Sequence, residues 1–203
     1  MARPRAPTFE TQRAGIHTAA ARLFAENGFA SASMAQIARA CGVSKPLLYH
    51  YYRDKAHLLF DIADTYIDRL IAITAEVRAR RLGPEEELRA MVGQFMREYE
   101  HSQAQHVVLV QDVKFLGDEA RGTIVAKQRA VVDAFARTIA AMKPRWTRRA
   151  LRVPLAMILF GMINWTFTWL RTAGPLTYDD MARVVTDIFL HGVLGAAAAE
   201  ATQ

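Results

Sequence analysis

The chain has 203 residues, 52% of them apolar and 23% charged, with one cysteine and a net charge of +6. This composition excludes a disordered chain and a disulfide-stapled secreted domain, and leaves room for one domain or for a small head joined to a larger body. The charge is uneven: residues 1–55 hold eight Lys/Arg against three Asp/Glu and residues 56–203 hold eighteen against seventeen, so the cationic excess lies in the first quarter and points to a polyanionic partner.

The opening stretch MARPRAPTFETQR has charges with no apolar run behind them and is expected to be a loose basic arm rather than a secretory signal. Beyond it, apolar residues recur at helical spacing, as in Ile16, Ala20, Leu23 and Phe24 and then Ile62, Tyr66, Ile67, Leu70 and Ile71, while alternating β-branched runs are missing. The fold class is therefore all-α. Turn residues at ENGF, CGV, RRLGP, FLGD, MKPRW and RTAGPLTYDD divide the chain into about nine helices, near 9–26, 33–40, 44–51, 54–80, 84–101, 104–115, 117–142, 147–171 and 177–196. The first three and the arm form a head of residues 1–55. The rest, 56–203, forms a larger helical body reached through the long fourth helix.

Within the head, SMAQIARACGVSKPLLYHY (33–51) reads residue by residue. Ser33 caps a short helix with Met34, Ile37 and Ala38 inside; Gly42 supplies a left-handed turn and Val43 plugs the angle; Ser44 caps the next helix, with Pro46 in its first turn, where no backbone donor is needed. This is a helix-turn-helix, whose second helix enters the major groove of DNA. Lys45 and Leu47 stand at its leading end, where an ammonium meets guanine O6 or N7 and a methyl meets thymine. Tyr49, His50, Tyr51 and Lys55 offer donors to phosphates, which set register without reading sequence. Leu48 and Tyr52 are assigned to the core.

The stretch AARLFAENGFASASMAQIARACGVSKPLLYHYYRDKAHLL resembles the DNA-binding domain of the tetracycline-repressor (TetR) family of bacterial regulators, over about residues 10–60. The resemblance implies a homodimeric, all-α repressor in which a C-terminal domain binds a small effector and dimerises through its last two helices. Base-reading positions then fall on Ala35, Gln36, Lys45, Pro46 and Leu47, and backbone-contacting positions on Ser33, Tyr49, His50, Tyr51 and Lys55, with Ser44 at the turn. Many members carry Gly or Thr where Pro46 or Leu47 stands, so base preference does not transfer.

In the body, VPLAMILFGMINWTFTWL (153–170) approaches the roughly 20 residues of a membrane span, but Pro154, Gly161, Asn164, Thr166 and Thr168 lower its hydropathy. It is assigned to a buried helix or an oligomer interface, with no membrane. Gly161 together with Ile188, Phe189, Val193 and Leu194 is expected to line a four-helix contact between two copies. Residues 160–182, FGMINWTFTWLRTAGPLTYDDMA, are similar to the acyl-CoA-responsive subset of the family. A thioester of that kind needs an apolar slot, for which Phe95, Met96, Tyr99, Val110, Phe115, Met162, Trp165 and Trp169 are candidates, and cations for its phosphates, for which Arg145, Arg148, Arg149, Arg152 and Arg171 are candidates.

His101 and His106 are five residues apart and miss the four-residue spacing of two metal ligands on one helix face, so no metal is expected. With no Gly-rich phosphate loop, no GxSxG elbow and no framed carboxylate pair, an enzyme and a cofactor are not expected either. The expected partners are a double-stranded, pseudo-palindromic operator, a small hydrophobic effector and a second copy of the chain, in the cytoplasm. A repressor of an efflux pump sensing lipophilic drugs and an α-helical acyl-thioester enzyme are the alternatives.

Overall fold

The structure, a computed structural model, describes residues 9–142 and 151–200, with 193–200 described by backbone alone. Residues 1–8 of the expected basic arm, Arg145, Arg148, Arg149 and the side chains of Val193 and Leu194 lie outside the described residues, and the rest of that arm, 9–13, is the first part of a helix. Among the described residues every regular element is helical: α1 Phe9–Asn27, α2 Met34–Ala40, α3 Lys45–Tyr51, α4 Lys55–Ala79, α5 Pro84–His101, α6 Gln103–Gln111, α7 Asp118–Met142, α8 Arg152–Asn164 and α9 Tyr178–Glu200. Short 3-10 helices follow α6 at Val113–Phe115 and α8 at Trp165–Thr168. Residues up to Ile67 and Ala104–Val125 form one compact unit; Asp68–Gln103 and the residues from Ala126 onward form another, so α4 and α7 contribute to both.

In the first unit, local chemistry sets each boundary. α1 ends where Gly28 takes φ +78°, and its N–H donates to the Phe24 carbonyl at 2.8 Å. α2 begins with a capping box: the Ser33 hydroxyl accepts from the Gln36 N–H at 3.3 Å and the Ser33 N–H donates to Gln36 Oε1 at 2.8 Å. Gly42, at φ +67°, turns the chain toward α3, and the Ser44 hydroxyl accepts from the Leu47 N–H at 3.3 Å. Ile16, Ala20, Phe24, Ile37, Leu48, Leu58, Leu59 and Ile62 are almost wholly buried, each large one contributing roughly 1.5–3 kcal/mol.

The second unit is built around α5. Pro84 stands in its first turn with Glu85, Glu86 and Glu87, which suit the positive end of the helix dipole. Its stripe of Leu88, Met91, Val92, Phe95, Met96 and Tyr99 is buried. Phe95 meets Phe135 of α7 edge-on at 4.9 Å between centroids, and Phe135 meets Phe160 of α8 at 4.8 Å. α9 opens on a second reciprocal cap, Thr177 with Asp180, and buries Ala182, Val185 and Phe189.

Two expected elements are corrected: the helix expected near 104–115 ends at Gln111 and is followed by the 3-10 helix Val113–Phe115. A single helix over 147–171 does not form: α8 ends at Asn164 and the chain tightens into a 3-10 helix. Thr166 and Thr168 supply the cause, since their hydroxyls donate to the carbonyls of Ile163 at 2.6 Å and Trp165 at 2.7 Å, three residues back, and stabilise the tighter winding. No helix among the described residues is long and apolar enough to cross a membrane.

Candidate nucleic-acid interface

α3 is two turns long, and burial sorts its residues cleanly. Leu48 points inward with no exposure, whereas Lys45, Pro46, Leu47, Tyr49 and His50 are exposed. Lys45 Nζ stands 5.9 Å from the centre of the Tyr49 ring. Tyr51 is half-buried and stacks on Phe9 at 4.7 Å, which fixes the plane of its ring beside His50, 5.8 Å away. Ser33, Ala35, Gln36 and Ser44 are exposed on the same unit at the starts of α2 and α3. These residues give a short, outward-facing set of ammonium, phenol and imidazole donors around one apolar side chain, a mixture suited to phosphates and base edges.

Two of the expected contacts are changed by the bonds these side chains already make. Gln36 Oε1 accepts from both the N–H and the hydroxyl of Ser33, at 2.8 Å each, so its amide N–H2 is the end available to a base and the two-point adenine contact is not. Lys55 is the more fully engaged of the two. Its ammonium donates to the carbonyls of Phe29 at 2.6 Å, Ala32 at 2.7 Å and Ala30 at 3.1 Å, and lies 4.3 Å from the Phe29 ring centre. An ammonium has three N–H groups, and all three are engaged. Lys55 therefore clamps the turn between α1 and α2, with its three N–H groups already engaged there.

A further polar cluster escaped sequence reading. Asp61 of α4 accepts from Arg13 Nε at 3.0 Å, His17 Nε2 at 2.8 Å and the Tyr52 hydroxyl at 2.7 Å, with a second Arg13 nitrogen on its other oxygen at 2.5 Å. His17 Nε2 also lies 2.9 Å from the Tyr52 hydroxyl. Burial works to raise the Asp61 carboxyl, but the bonds from His17, Arg13 and Tyr52 outweigh it and hold the group well below the usual carboxylate range. Burial and the Asp61 bond push the Tyr52 phenol up, and Arg13 is held protonated chiefly by Asp61. With Asp61 ionised, His17 must carry its proton on Nε2 to face it. The sequence carries only part of the signal: Arg13 and His17 lie four apart on one helix face, but their spacing does not name Asp61 as the partner.

In the second unit the expected effector residues separate. Phe95, Met96 and Tyr99 are buried, and the Tyr99 hydroxyl donates to Asn164 Oδ1 at 2.7 Å. Met162 is half-buried. Trp165 and Trp169 are 65% and 49% exposed and Arg171 is exposed, so these three stand on the surface of the unit instead of lining an interior slot. Val110 and Phe115 belong to the first unit, where Phe115 stacks on Phe29 at 5.3 Å. Two open clefts of about 390 and 400 Å³ share Arg97. In the larger, Arg97 is paired with Asp179, Arg89 with Asp187 and Glu85, and Arg183 with Asp180, while Arg80 also lines it.

The last two helices divide the expected dimer residues as well. Phe189 is 4% exposed and belongs to the core of its own unit, because it lies about 100° around the helix from Ile188, which is 59% exposed. Gly161 is exposed, with nothing within 4 Å of the place a Cβ would take. Around it α8 shows Val153, Met157, Ile158 and then Trp165, and α9 shows Val184 and Ile188, residues of which sequence reading named only two for any role.

Comparison with known proteins agrees with these features. Residues 16–62 match the family described as bacterial regulatory proteins, tetR family, and residues 81–193 match the tetracyclin repressor-like C-terminal domain. A TetR-family transcriptional regulator from Bordetella parapertussis is 32% identical, superposes with a TM-score of 0.87 and is covered over 98% of its chain by 92% of this one. The crystal structure of AibR in complex with isovaleryl coenzyme A and operator DNA is 25% identical, with a TM-score of 0.77 over 87% of this chain and 97% of that one. The transcriptional repressor KstR2 of Rhodococcus jostii is 29% identical over 86% of this chain and 87% of its own. The transcriptional activator FasR of Mycolicibacterium smegmatis is 22% identical over 84% of this chain and 77% of its own.

Proposed function

The chain belongs to the tetR family of bacterial regulatory proteins, and from that premise we propose that it is a homodimeric, cytoplasmic repressor that leaves a pseudo-palindromic operator when an acyl-CoA thioester binds its C-terminal unit. The observation that carries the DNA side is the exposed set Lys45, Leu47, Tyr49 and His50 on a short helix whose other face, at Leu48, is wholly buried. Such a helix can enter a groove without disturbing the core. Lys45 and Leu47 read bases; Tyr49, His50 and Tyr51 hold the backbone, with Ser33 and Ser44 keeping the first turns of α2 and α3 in place. Two heads in one dimer then reach half-sites about one helical turn apart.

Homodimerisation is supported by α8. Its inner stripe, Ala156, Leu159, Phe160 and Ile163, is buried in its own unit, yet its outer stripe is equally apolar and exposed. A helix apolar all round calls for cover on both sides, and a second copy meeting it across a two-fold axis provides that.

The effector class rests on the relatives, since AibR was crystallised with isovaleryl coenzyme A. An apolar interior of Phe95, Met96 and Tyr99 with the half-buried Met162 suits an acyl chain, and the Tyr99–Asn164 bond places one polar pair beside it. Release follows from linkage: the ligand favours the arrangement whose heads do not fit the operator, by its differential affinity for the two states.

Fluorescence anisotropy on duplex DNA from immediately upstream of the chain's own gene, titrated with acyl-CoAs, free CoA and free acids, tests both halves. Release by one thioester and not by its acid or by CoA is expected. Salt-sensitive binding that no thioester disturbs would discard the effector class, and a Lys45→Ala variant that binds as tightly as the parent would discard the reading of α3.

A further inference from the structure

We propose that Asp61, which faces the core of the head and not the DNA, is the positioning residue of the recognition helix, acting through Tyr52. α3 has only seven residues, too short to hold its own direction by intrinsic helix stability. Its leading end is set by the Gly42 turn and the Ser44 cap. Its trailing end is set by Tyr52, the C-cap residue, whose N–H closes the helix on Leu48 at 2.9 Å and whose hydroxyl donates to Asp61 at 2.7 Å. Tyr52 is 2% exposed, and its bond to the half-buried Asp61 is largely shielded from water.

The same carboxylate receives Arg13 and His17 from α1. One anion on α4 thus ties the first helix and the end of the third to a common point, and the three donors leave it no other partner. Rotating α3 about its axis, or tilting its trailing end, would break the Tyr52 bond inside a buried site. Lys45 and Leu47 lie within two turns of that bond, so an error in the helix direction at Tyr52 reaches the base-reading end. Arg13 and His17 are not needed for this lever; they hold Asp61 itself in one rotamer and keep it ionised, which strengthens the bond it accepts from Tyr52.

This inference rests on α3 being the helix that reads the operator, and its test separates the two. Full-length Tyr52→Phe removes the hydroxyl, and with it the link from α3 to Asp61 and the contact with His17 Nε2, but leaves Arg13 and His17 on Asp61; Asp61→Asn deletes the common point; Lys45→Ala serves as the control for the reading of α3. Each is measured by anisotropy on the upstream duplex and on a scrambled duplex of equal length and salt. A loss of folded protein lowers both affinities equally, whereas a misdirected α3 lowers their ratio. Tyr52→Phe and Asp61→Asn are expected to reduce the specific-to-scrambled ratio by about tenfold, the discrimination of one base contact, with the salt slope on scrambled DNA unchanged. A parental ratio in Tyr52→Phe overturns the positioning role even where Asp61→Asn fails to fold. A parental ratio in Lys45→Ala overturns the reading of α3 on which the proposal rests.

Discussion

Replacing Lys55 by methionine should destabilise the head without changing how many phosphates the protein neutralises. Two of the ammonium's three bonds, to the carbonyls of Phe29 and Ala32, are part-buried; the third, to Ala30, is exposed. Taking the part-buried bonds near the lower end for hydrogen bonds to a charged group, about 1.5 kcal/mol each, and nothing for the exposed one gives a loss of about 3 kcal/mol. Methionine keeps an apolar stem over the Phe29 ring, so the substitution isolates the ammonium. The position of Lys55 makes the same point, because a cation in the first turn of α4 is opposed by the helix dipole, and three carbonyls provide the offsetting attraction. Urea unfolding followed by circular dichroism, beside anisotropy on nonspecific DNA over a salt series, reads both quantities. A lowered urea midpoint with an unchanged salt slope is expected. An unchanged midpoint with a slope reduced by about one would restore Lys55 to the phosphates and refute the clamp.

Gly42→Ala should cost about 1–2 kcal/mol, the price of a left-handed residue with a Cβ, because φ is +67° and no atom lies within 4 Å to add a clash; a neutral result in urea unfolding would contradict the turn. Met157→Arg combined with Ile188→Arg should turn the dimer into monomers in sedimentation velocity while leaving the helical signal intact, and an unchanged mass would remove the α8–α9 contact. The Asp61 carboxyl is depressed in the folded chain, so its contribution to stability is present above the unfolded value of about 3.9 and is lost as pH falls through the lower folded one. The stability difference between parent and Asp61→Asn should therefore be constant from neutral pH to about pH 5 and shrink below pH 4; a gap that closes already near pH 6 would mean that another group sets it. Burial pushes the Cys41 thiol up to about 11, so native protein at pH 8 should react with iodoacetamide far more slowly than urea-unfolded protein, and equal rates would refute its burial.

What was legible in the sequence was local. The caps at Ser33 and Ser44, the left-handed Gly42 and the Pro84 start of α5 each depend on neighbours within four residues, and the structure has them where the sequence puts them. The Asp61 cluster was not legible, because its bonds join residues 48, 44 and 9 positions apart and nothing in the spacing of Arg13 or His17 names the partner. The clamp at Lys55 was hidden for a related reason: an ammonium suits a phosphate and a ring of carbonyls equally, and only the path of the 29–32 turn brings the carbonyls to it. Apolar residues posed a third difficulty. Hydrophobicity puts Trp165 and Phe189 away from water but does not say whether their own unit or another copy covers them, and the structure assigns Phe189 to the first and exposes Trp165.

That last ambiguity has an energetic side. Val153, Met157, Ile158, Trp165, Val184 and Ile188 are each 40% exposed or more on α8, its 3-10 extension and α9. Soluble monomers rarely expose apolar patches beyond a few hundred Å², so this face is built for cover. Covering the exposed half of such a side chain is worth roughly 1 kcal/mol, half of the value for full burial, and six from each of two copies give about 12 kcal/mol. Association costs about 4–15 kcal/mol before any affinity appears, so what the apolar stripe leaves runs from about 8 kcal/mol to nothing. Close approach of backbones adds to it. Gly161, in the middle of the α8 stripe with open space over its Cα, is where that approach is possible. Two added charges act directly against such a contact: each arginine removes an apolar contribution and brings a cation that must be desolvated on association.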